Sequence, residues 1–147
     1  MSAKQDSADA ARILVVDDNE PFRRFIISTL HEQSNLQVIG EEEDGIEAVQ
    51  RAEALQPDLI LLDIGLPGLN GIDAARRMAE LAPNARIIFL TQESSPDVVH
   101  EALGLGAWGY VVKVQAGKEL LVAVEMAMQG RRFVSSGLDG HQSPNTT

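Results

Sequence analysis

Five side chains able to do phosphate or metal chemistry stand at the ends of short apolar runs in this chain of 147 residues. A run over residues 13–16 leads into Asp17 and Asp18, one over 59–62 into Asp63, one over 87–90 into Thr91, and one over 110–112 into Lys113. Ligands of open α/β sheets bind beyond the carboxyl ends of the strands, so three acids, a hydroxyl and an amine there form a convergent set. Each acid also has an ordinary structural explanation. Asp17 or Asp18 would serve as N-cap of a helix starting near Pro21, and Asp63 as a turn residue ahead of Pro67 and Gly68. Taken together, these explanations do less well. If the first and third runs are adjacent strands about 4.8 Å apart, their terminal carboxylates crowd. Two like charges at about 4 Å repel by roughly 4 kcal/mol at an effective dielectric near 20. Either one carboxyl keeps its proton or a divalent cation is bound. A hard, oxygen-only donor set points to Mg²⁺ over zinc or copper. Mg²⁺ keeps positions open for water and phosphate oxygens, so phosphoryl transfer is the chemistry these residues suit. One carboxylate would be the nucleophile, Thr91 would hydrogen-bond a phosphoryl oxygen and Lys113 would neutralise another.

The scaffold for such a set is visible in the periodicity. Short, β-branched apolar runs at 13–16, 36–39, 59–62, 87–90 and 110–112 alternate with stretches whose apolar residues recur three or four apart. The first stretch carries Phe22, Phe25, Ile26 and Leu30, the second Ile46, Val49 and Leu55, and the third Ile72, Ala75, Met78 and Leu81. Val98, Val99, Ala102 and Leu103 follow, then Leu120, Val124 and Met128. Strict strand–helix alternation argues for a parallel sheet covered on both faces by right-handed crossovers. Continuous rather than alternating apolar runs say the same of the inner strands. Pro21 near the first helix start, Pro57 and Pro83 after helices, and Gly104, Gly106 and Gly130 near helix ends supply the punctuation.

Composition narrows the function classes. The length suits one domain, and the 44% apolar content is enough for a core without staples. With no cysteine, disulfides, Cys-ligated zinc and thiol nucleophiles are excluded. Of 12 basic and 22 acidic residues, 5 and 15 lie in residues 1–74, and 7 and 7 in residues 75–147. A chain this acidic is repelled by phosphate backbones, so no nucleic acid is expected to bind the chain itself. No apolar run approaches the roughly 20 residues of a membrane helix, and residues 1–11 lack the apolar stretch of a signal peptide. A cytoplasmic location without membrane contact is the expectation. The expected organisation is a disordered lead over 1–10, one α/β domain over 11–134, and a flexible tail or linker over 135–147.

Four motifs in order make a resemblance. Val15-Val16-Asp17-Asp18-Asn19 is the first. Residues 58–67, ending Leu62-Asp63-Ile64-Gly65-Leu66-Pro67 and leading to Asn70-Gly71, are the second. Leu90-Thr91 and Gly106-Ala107-Trp108-Gly109-Tyr110-Val111-Val112-Lys113 complete the set. Over residues 11–131 the chain resembles the receiver domains of two-component response regulators. Residues 120–136, with Ala127-Met128-Gln129-Gly130 and Phe133-Val134-Ser135, are similar to receivers of the helix-turn-helix (NarL/FixJ/LuxR-type) subfamily. The resemblance implies a flavodoxin-like (βα)5 fold with a parallel five-stranded sheet of order 2-1-3-4-5. It implies Asp63 as phosphoacceptor, Asp18 as direct Mg²⁺ ligand, Asp17 as an acidic neighbour acting largely through water, and Gly65 offering its backbone carbonyl to the metal. Lys113 would pair with the phosphoryl group, Thr91 would move to hydrogen-bond it, and Tyr110 would be the aromatic switch that turns inward. The implied partner is a histidine kinase or phosphotransfer protein. A homodimer would use the face of the fourth helix, fifth strand and fifth helix. The implied role is a signalling switch that phosphorylates and dephosphorylates itself rather than a turnover enzyme, regulating transcription where a DNA-binding domain is joined to it.

There are departures. Val114 stands where many receivers have a proline preceded by a cis bond. A cis bond before a non-proline costs about 2.5 to 4 kcal/mol, so a trans bond or a rearranged loop is expected. Gln92 is bulkier than the residue usual after the threonine and would narrow access to the phosphoryl site. Gly65 and Glu93 lie where family variation tunes the phosphate's lifetime. Two other classes compete. One is a phosphorylation-independent pseudo-receiver, a protein-binding module. The other is an aspartyl phosphatase, whose D-x-D pattern Asp17-Asp18-Asn19 does not supply.

Other motifs have plainer readings. Residues 104–109 satisfy G-x-G-x-x-G, but they follow a helix and enter a strand, the reverse of a dinucleotide site. Gly117-Lys118 lacks the rest of a P-loop. Glu41-Glu42-Glu43-Asp44 is expected to be a solvated loop, and His31, His100 and His141 to be surface residues. Trp108 would either pack under a helix or present a partner surface at an edge strand.

Overall fold

The computed structural model describes residues 9–136 and Leu138. Residues 1–8, His141 and most of the expected tail lie outside the described residues. In chain order the elements are β1 (Ala11–Val16), α1 (Glu20–His31), β2 (Leu36–Glu42), α2 (Gly45–Leu55), β3 (Leu59–Leu62) and α3 (Gly71–Leu81). They continue with β4 (Arg86–Thr91), α4 (Pro96–Gly104), β5 (Gly109–Val112), a 3-10 turn over Lys113–Gln115, α5 (Ala116–Met128) and β6 (Phe133–Val134). All pairings are parallel, in the order β2-β1-β3-β4-β5-β6.

Both faces of the sheet are covered, and that is why its inner strands read as nearly unbroken apolar runs. Leu14, Val16, Ile60, Leu62, Phe89 and Tyr110 point to one side, where α2, α3 and α4 contribute Ala48, Val49, Met78 and Val99. Ile13, Val15, Leu59, Leu61, Ile88 and Val111 point to the other, against Ile26 and Leu30 of α1 and Leu120 and Val124 of α5. No helix among the described residues is long and apolar enough to cross a membrane.

Three features differ from expectation. First, β6 lengthens the five-stranded sheet to six, pairing Phe133 with Gly109 and Val134 with Tyr110. A two-residue strand carries no period of its own, so it is invisible to pattern reading. It also makes β5 an internal strand. Trp108 is half-buried, its amide donating to the Ile87 carbonyl at 2.8 Å while the Arg86 guanidinium sits 4.8 Å from the ring centroid. Second, the acidic run is not all loop: Glu41 and Glu42 pair with Val15 and Val16 at the end of β2. Asp44 caps α2, its Oδ1 accepting from the Glu47 amide at 2.8 Å. Third, the chain stays docked past residue 134. Ser135 is fully buried, with Oγ accepting from the Val112 amide at 2.9 Å and donating to Glu119 Oε1. The Ser136 amide and hydroxyl reach Glu119 Oε2 at 3.3 and 3.1 Å. A buried carboxylate in the first turn of α5 needs donors, and the segment after β6 supplies them.

Candidate functional site

Parallel strands bring the carboxyl ends of β1, β3, β4 and β5 to one edge of the sheet. The register then decides what converges there. Val16 pairs with Leu62, so the residues that follow, Asp17 and Asp63, leave adjacent strands together, and the Asp63 amide donates to the Val16 carbonyl at 3.1 Å. Neither Asp17 nor Asp18 caps α1. That role belongs to Asn19, whose Oδ1 accepts from the Phe22 amide at 2.9 Å. Both acids are therefore free for other work.

One carboxylate oxygen from each of Asp17, Asp18 and Asp63 lies within 4.8 Å of the other two. Asp17 and Asp63 are buried and Asp18 is exposed. Lys113, carried into place by the 3-10 turn after β5, sits between the two buried acids, its Nζ 2.9 Å from Asp17 Oδ2 and 3.1 Å from Asp63 Oδ2. The Lys113 ammonium also lies 4.7 Å from the centroid of the Phe22 ring, at cation–π range. Asp17 Oδ1 accepts from the Asn19 amide at 2.8 Å and from Lys113 Nζ at 3.2 Å. Asp17 Oδ2 has only the ion-pair contact and no hydrogen bond.

The electrostatics follow from burial. Desolvation pushes the Asp17 carboxyl above its ordinary range and the Asp63 charge adds to that, against the pull of the Asn19 amide and Lys113. Burial pushes Lys113 down, but its hydrogen bond to Asp17 and the charge of Asp63 outweigh it, so its ammonium holds its proton beyond the ordinary lysine range. Three carboxylates against one ammonium leave the cluster short of positive charge. A buried carboxylate oxygen with no hydrogen bond and only the Lys113 ammonium beside it, within a hard oxygen set, is what a Mg²⁺ ion would satisfy, so the residues present fit that ion.

Thr91 and Tyr110 reach the same edge but are tied to each other's neighbour rather than to Asp63. Thr91 Oγ1 accepts from the Glu93 amide at 3.3 Å, and the Tyr110 hydroxyl donates to the Glu93 carbonyl at 2.6 Å. Glu93 is thus held at both ends of its backbone by the two side chains. Tyr110 is fully buried, and burial pushes its phenol well above the ordinary range. The expected trans bond before Val114 is present, since no described peptide bond is cis. Val114 is 86% exposed. Gln92, also exposed, lines a groove with Pro21, Phe22, Phe25, Val112 and Val114 beside Lys113. The glycine-rich run joins the end of α4 to β5 through Gly106 at φ 95, a turn and not a phosphate cradle.

Two supporting residues have roles that the sequence alone did not assign, Gly71 although it stands in the second motif. Gly71 opens α3 against the backbone of the site: a Cβ there would lie 2.1 Å from the Asp63 carbonyl oxygen and 2.7 Å from Ile64 Cα. The Asn70-Gly71 pair thus has a steric reason, with Asn70 as the cap. Arg23 is the other, buried with Ile26 and Leu30 on the inner stripe of α1. Its spacing of three and seven from those residues was the available signal.

The response regulator receiver domain family matches residues 13–125 of this chain. The response regulator GacA of Pseudomonas viridiflava is 32% identical over 124 residues, covering 84% of this chain and 58% of that protein. The nitrate/nitrite response regulator protein NarL of Escherichia coli strain K12 is 32% identical over 130 residues, covering 88% and 60%. A solved two-component response regulator of the LuxR family from Aurantimonas sp. SI85-9A1 superposes with a TM-score of 0.87 at 30% identity, covering 93% of this chain and 98% of that one. The chain spans less than two thirds of the length of the GacA and NarL proteins it matches.

Proposed function

The chain belongs to the response regulator receiver domain family, and from that membership we propose that Asp63 accepts a phosphoryl group from the phosphohistidine of a kinase or phosphotransfer protein. A small acyl phosphate is an alternative donor. One observation carries the reading: Asp63 Oδ2 lies 3.1 Å from Lys113 Nζ, and an Asp63 oxygen has one oxygen of each of two further aspartates within 4.8 Å. An Asp63 oxygen attacks phosphorus and the P–N bond to imidazole breaks. The electron pair leaves with the imidazole, which takes a proton from solvent, and an acyl phosphate remains on Asp63. The donor brings a good leaving group, so the receiver's part is positioning and charge neutralisation.

Asp17, Asp18 and Asp63 would hold Mg²⁺, with the Gly65 carbonyl as a backbone ligand. Bound there, the ion would neutralise charge on the transferring phosphoryl group. Phosphorylation adds about -1.5 to -2 charge to an already acidic site, and Lys113 answers part of it. The Thr91 hydroxyl would leave the Glu93 amide to meet a phosphoryl oxygen. Because Tyr110 holds the same residue by its carbonyl, that exchange would loosen the start of the β4–α4 loop and reshape the face of α4, β5 and α5. This face is the proposed surface for dimerisation or output. The protein acts as a cytoplasmic switch whose phosphate water later removes, and a DNA-binding domain joined to it would make it a transcription regulator, as in relatives named transcriptional regulatory proteins. With labelled acetyl phosphate and Mg²⁺ the wild type takes up label, and chelator or Asp63→Asn abolishes it. Equal labelling of Asp63→Asn would overturn the assignment.

A further inference from the structure

Arg23 is a buried cation beside the acidic cluster that the proposed phosphoryl transfer leaves unused. Its residue is 7% exposed, yet all three guanidinium nitrogens have partners in different segments. Nη1 donates to the Asp17 backbone carbonyl at 2.7 Å, Nε donates to Glu41 Oε1 at 2.7 Å, and Nη2 lies 3.5 Å from Glu43 Oε2. One planar group therefore ties the exit of β1 to the end of β2 and the loop that follows it. A buried charge is costly unless paired, and here the two glutamates pair it. The third contact, to a neutral carbonyl, is directional. The peptide plane is rigid, so holding the Asp17 carbonyl orients the whole Asp17–Asp18 peptide and restricts the directions in which both side chains leave the backbone. The Asp17 amide is held in turn by the Glu42 carbonyl at 3.0 Å, also at the end of β2.

We propose that Arg23 is a positioning residue for the metal site, clamping the Asp17–Asp18 peptide so that the carboxylates of Asp17 and Asp18 converge on that of Asp63. The inference rests on the Mg²⁺ reading of the preceding subsection and adds a residue to it. Charge and geometry predict opposite signs. As a mere positive charge near the cluster, Arg23 repels a dication, and removing it would tighten Mg²⁺ binding. As a clamp, it is needed, and removing it loosens binding. Lysine keeps the charge but cannot reproduce a fork that serves three acceptors.

The test titrates MgCl2 calorimetrically into wild type, Arg23→Lys and Arg23→Gln, and measures hydrogen exchange of the Asn19 amide without metal, since that amide reports the Asp17 side chain directly. Both variants should bind Mg²⁺ about tenfold or more weakly, the usual cost of losing a group that orients metal ligands, and exchange Asn19 faster. Wild-type affinity in Arg23→Lys, or tighter binding in Arg23→Gln, overturns the proposal. If Arg23→Gln does not fold by circular dichroism, Arg23→Lys carries the test alone. If the wild type itself binds no Mg²⁺ at millimolar concentration, the metal reading fails. Asn19 exchange in Arg23→Lys then decides the clamp: faster exchange supports it and wild-type protection overturns it.

Discussion

Replacing Lys113 by methionine, which preserves an unbranched side chain of similar volume, isolates what the ammonium does. It leaves Asp17 and Asp63 facing each other without the cation that sits 2.9 and 3.1 Å from them. At the 4.8 Å limit of their separation, two carboxylates repel by about 3.5 kcal/mol at an effective dielectric near 20. Breaking a buried pair by removing one partner costs about 3 to 5 kcal/mol. Relief from burying the ammonium and proton uptake by Asp17 both reduce the loss, so a net destabilisation of about 3 kcal/mol is expected at roughly pH 8 in chelator. For a domain of this size that is a fall in Tm of about 10 °C. Thermal melts by circular dichroism measure it directly. The deficit should shrink as the pH is lowered, because a protonated carboxyl no longer repels its neighbour. It should shrink also in excess Mg²⁺, since without the competing ammonium the variant binds the dication more tightly and gains more from it than wild type does. A Lys113→Met protein melting within about 2 °C of wild type in chelator would refute the reasoning.

Further outcomes follow from the same geometry. The folded-state carboxyl of Asp17 titrates above its ordinary 3.8, so the folded chain binds that proton more readily than the unfolded one. Asp17 therefore costs stability as the pH rises from about that value through its raised pKa. Asp17→Asn should raise Tm at neutral pH, flatten the acid limb of the melting curve and weaken Mg²⁺ binding, all visible in melts with and without the metal. Gly71→Ala must displace either the Asp63 backbone or the start of α3, costing about 1 to 3 kcal/mol in a denaturant melt and slowing phosphoryl uptake from acetyl phosphate. Glu119→Ala leaves Ser135 and Ser136 without their charged acceptor, a loss of about 1.5 to 3 kcal/mol, with hydrogen exchange at the Val112 amide rising as the docked segment loosens.

The alternation of strands and helices was legible because the inner strands β1, β3, β4 and β5 are mostly buried between helices on both faces, which writes apolar runs into the chain. The site was legible for the same reason: once β1 and β3 are neighbours, Asp17 and Asp63 must meet. What pattern reading could not decide was competition between roles. Asp17 and Asp18 compete with Asn19 for the cap of α1, and only the Asn19 contact to Phe22 settles it. Glu41 and Glu42 look like loop because charged residues seldom end a strand, yet Arg23 and Arg51 pair with them there. The sixth strand is too short to carry a period, and Glu119 reads as an ordinary first-turn acid until the segment after β6 folds back onto it. The ties of Thr91 and Tyr110 to Glu93 run through backbone atoms, which leave no mark in residue types.

The proposed reaction leaves an acyl phosphate at a single carboxylate, and borohydride reduction reads that bond chemically. After incubation with acetyl phosphate and Mg²⁺, borohydride should convert Asp63 to homoserine, found by peptide mass mapping, with the other aspartates unchanged. Homoserine at Asp17 or Asp18, or phosphate retained on a residue that borohydride does not reduce, would contradict it.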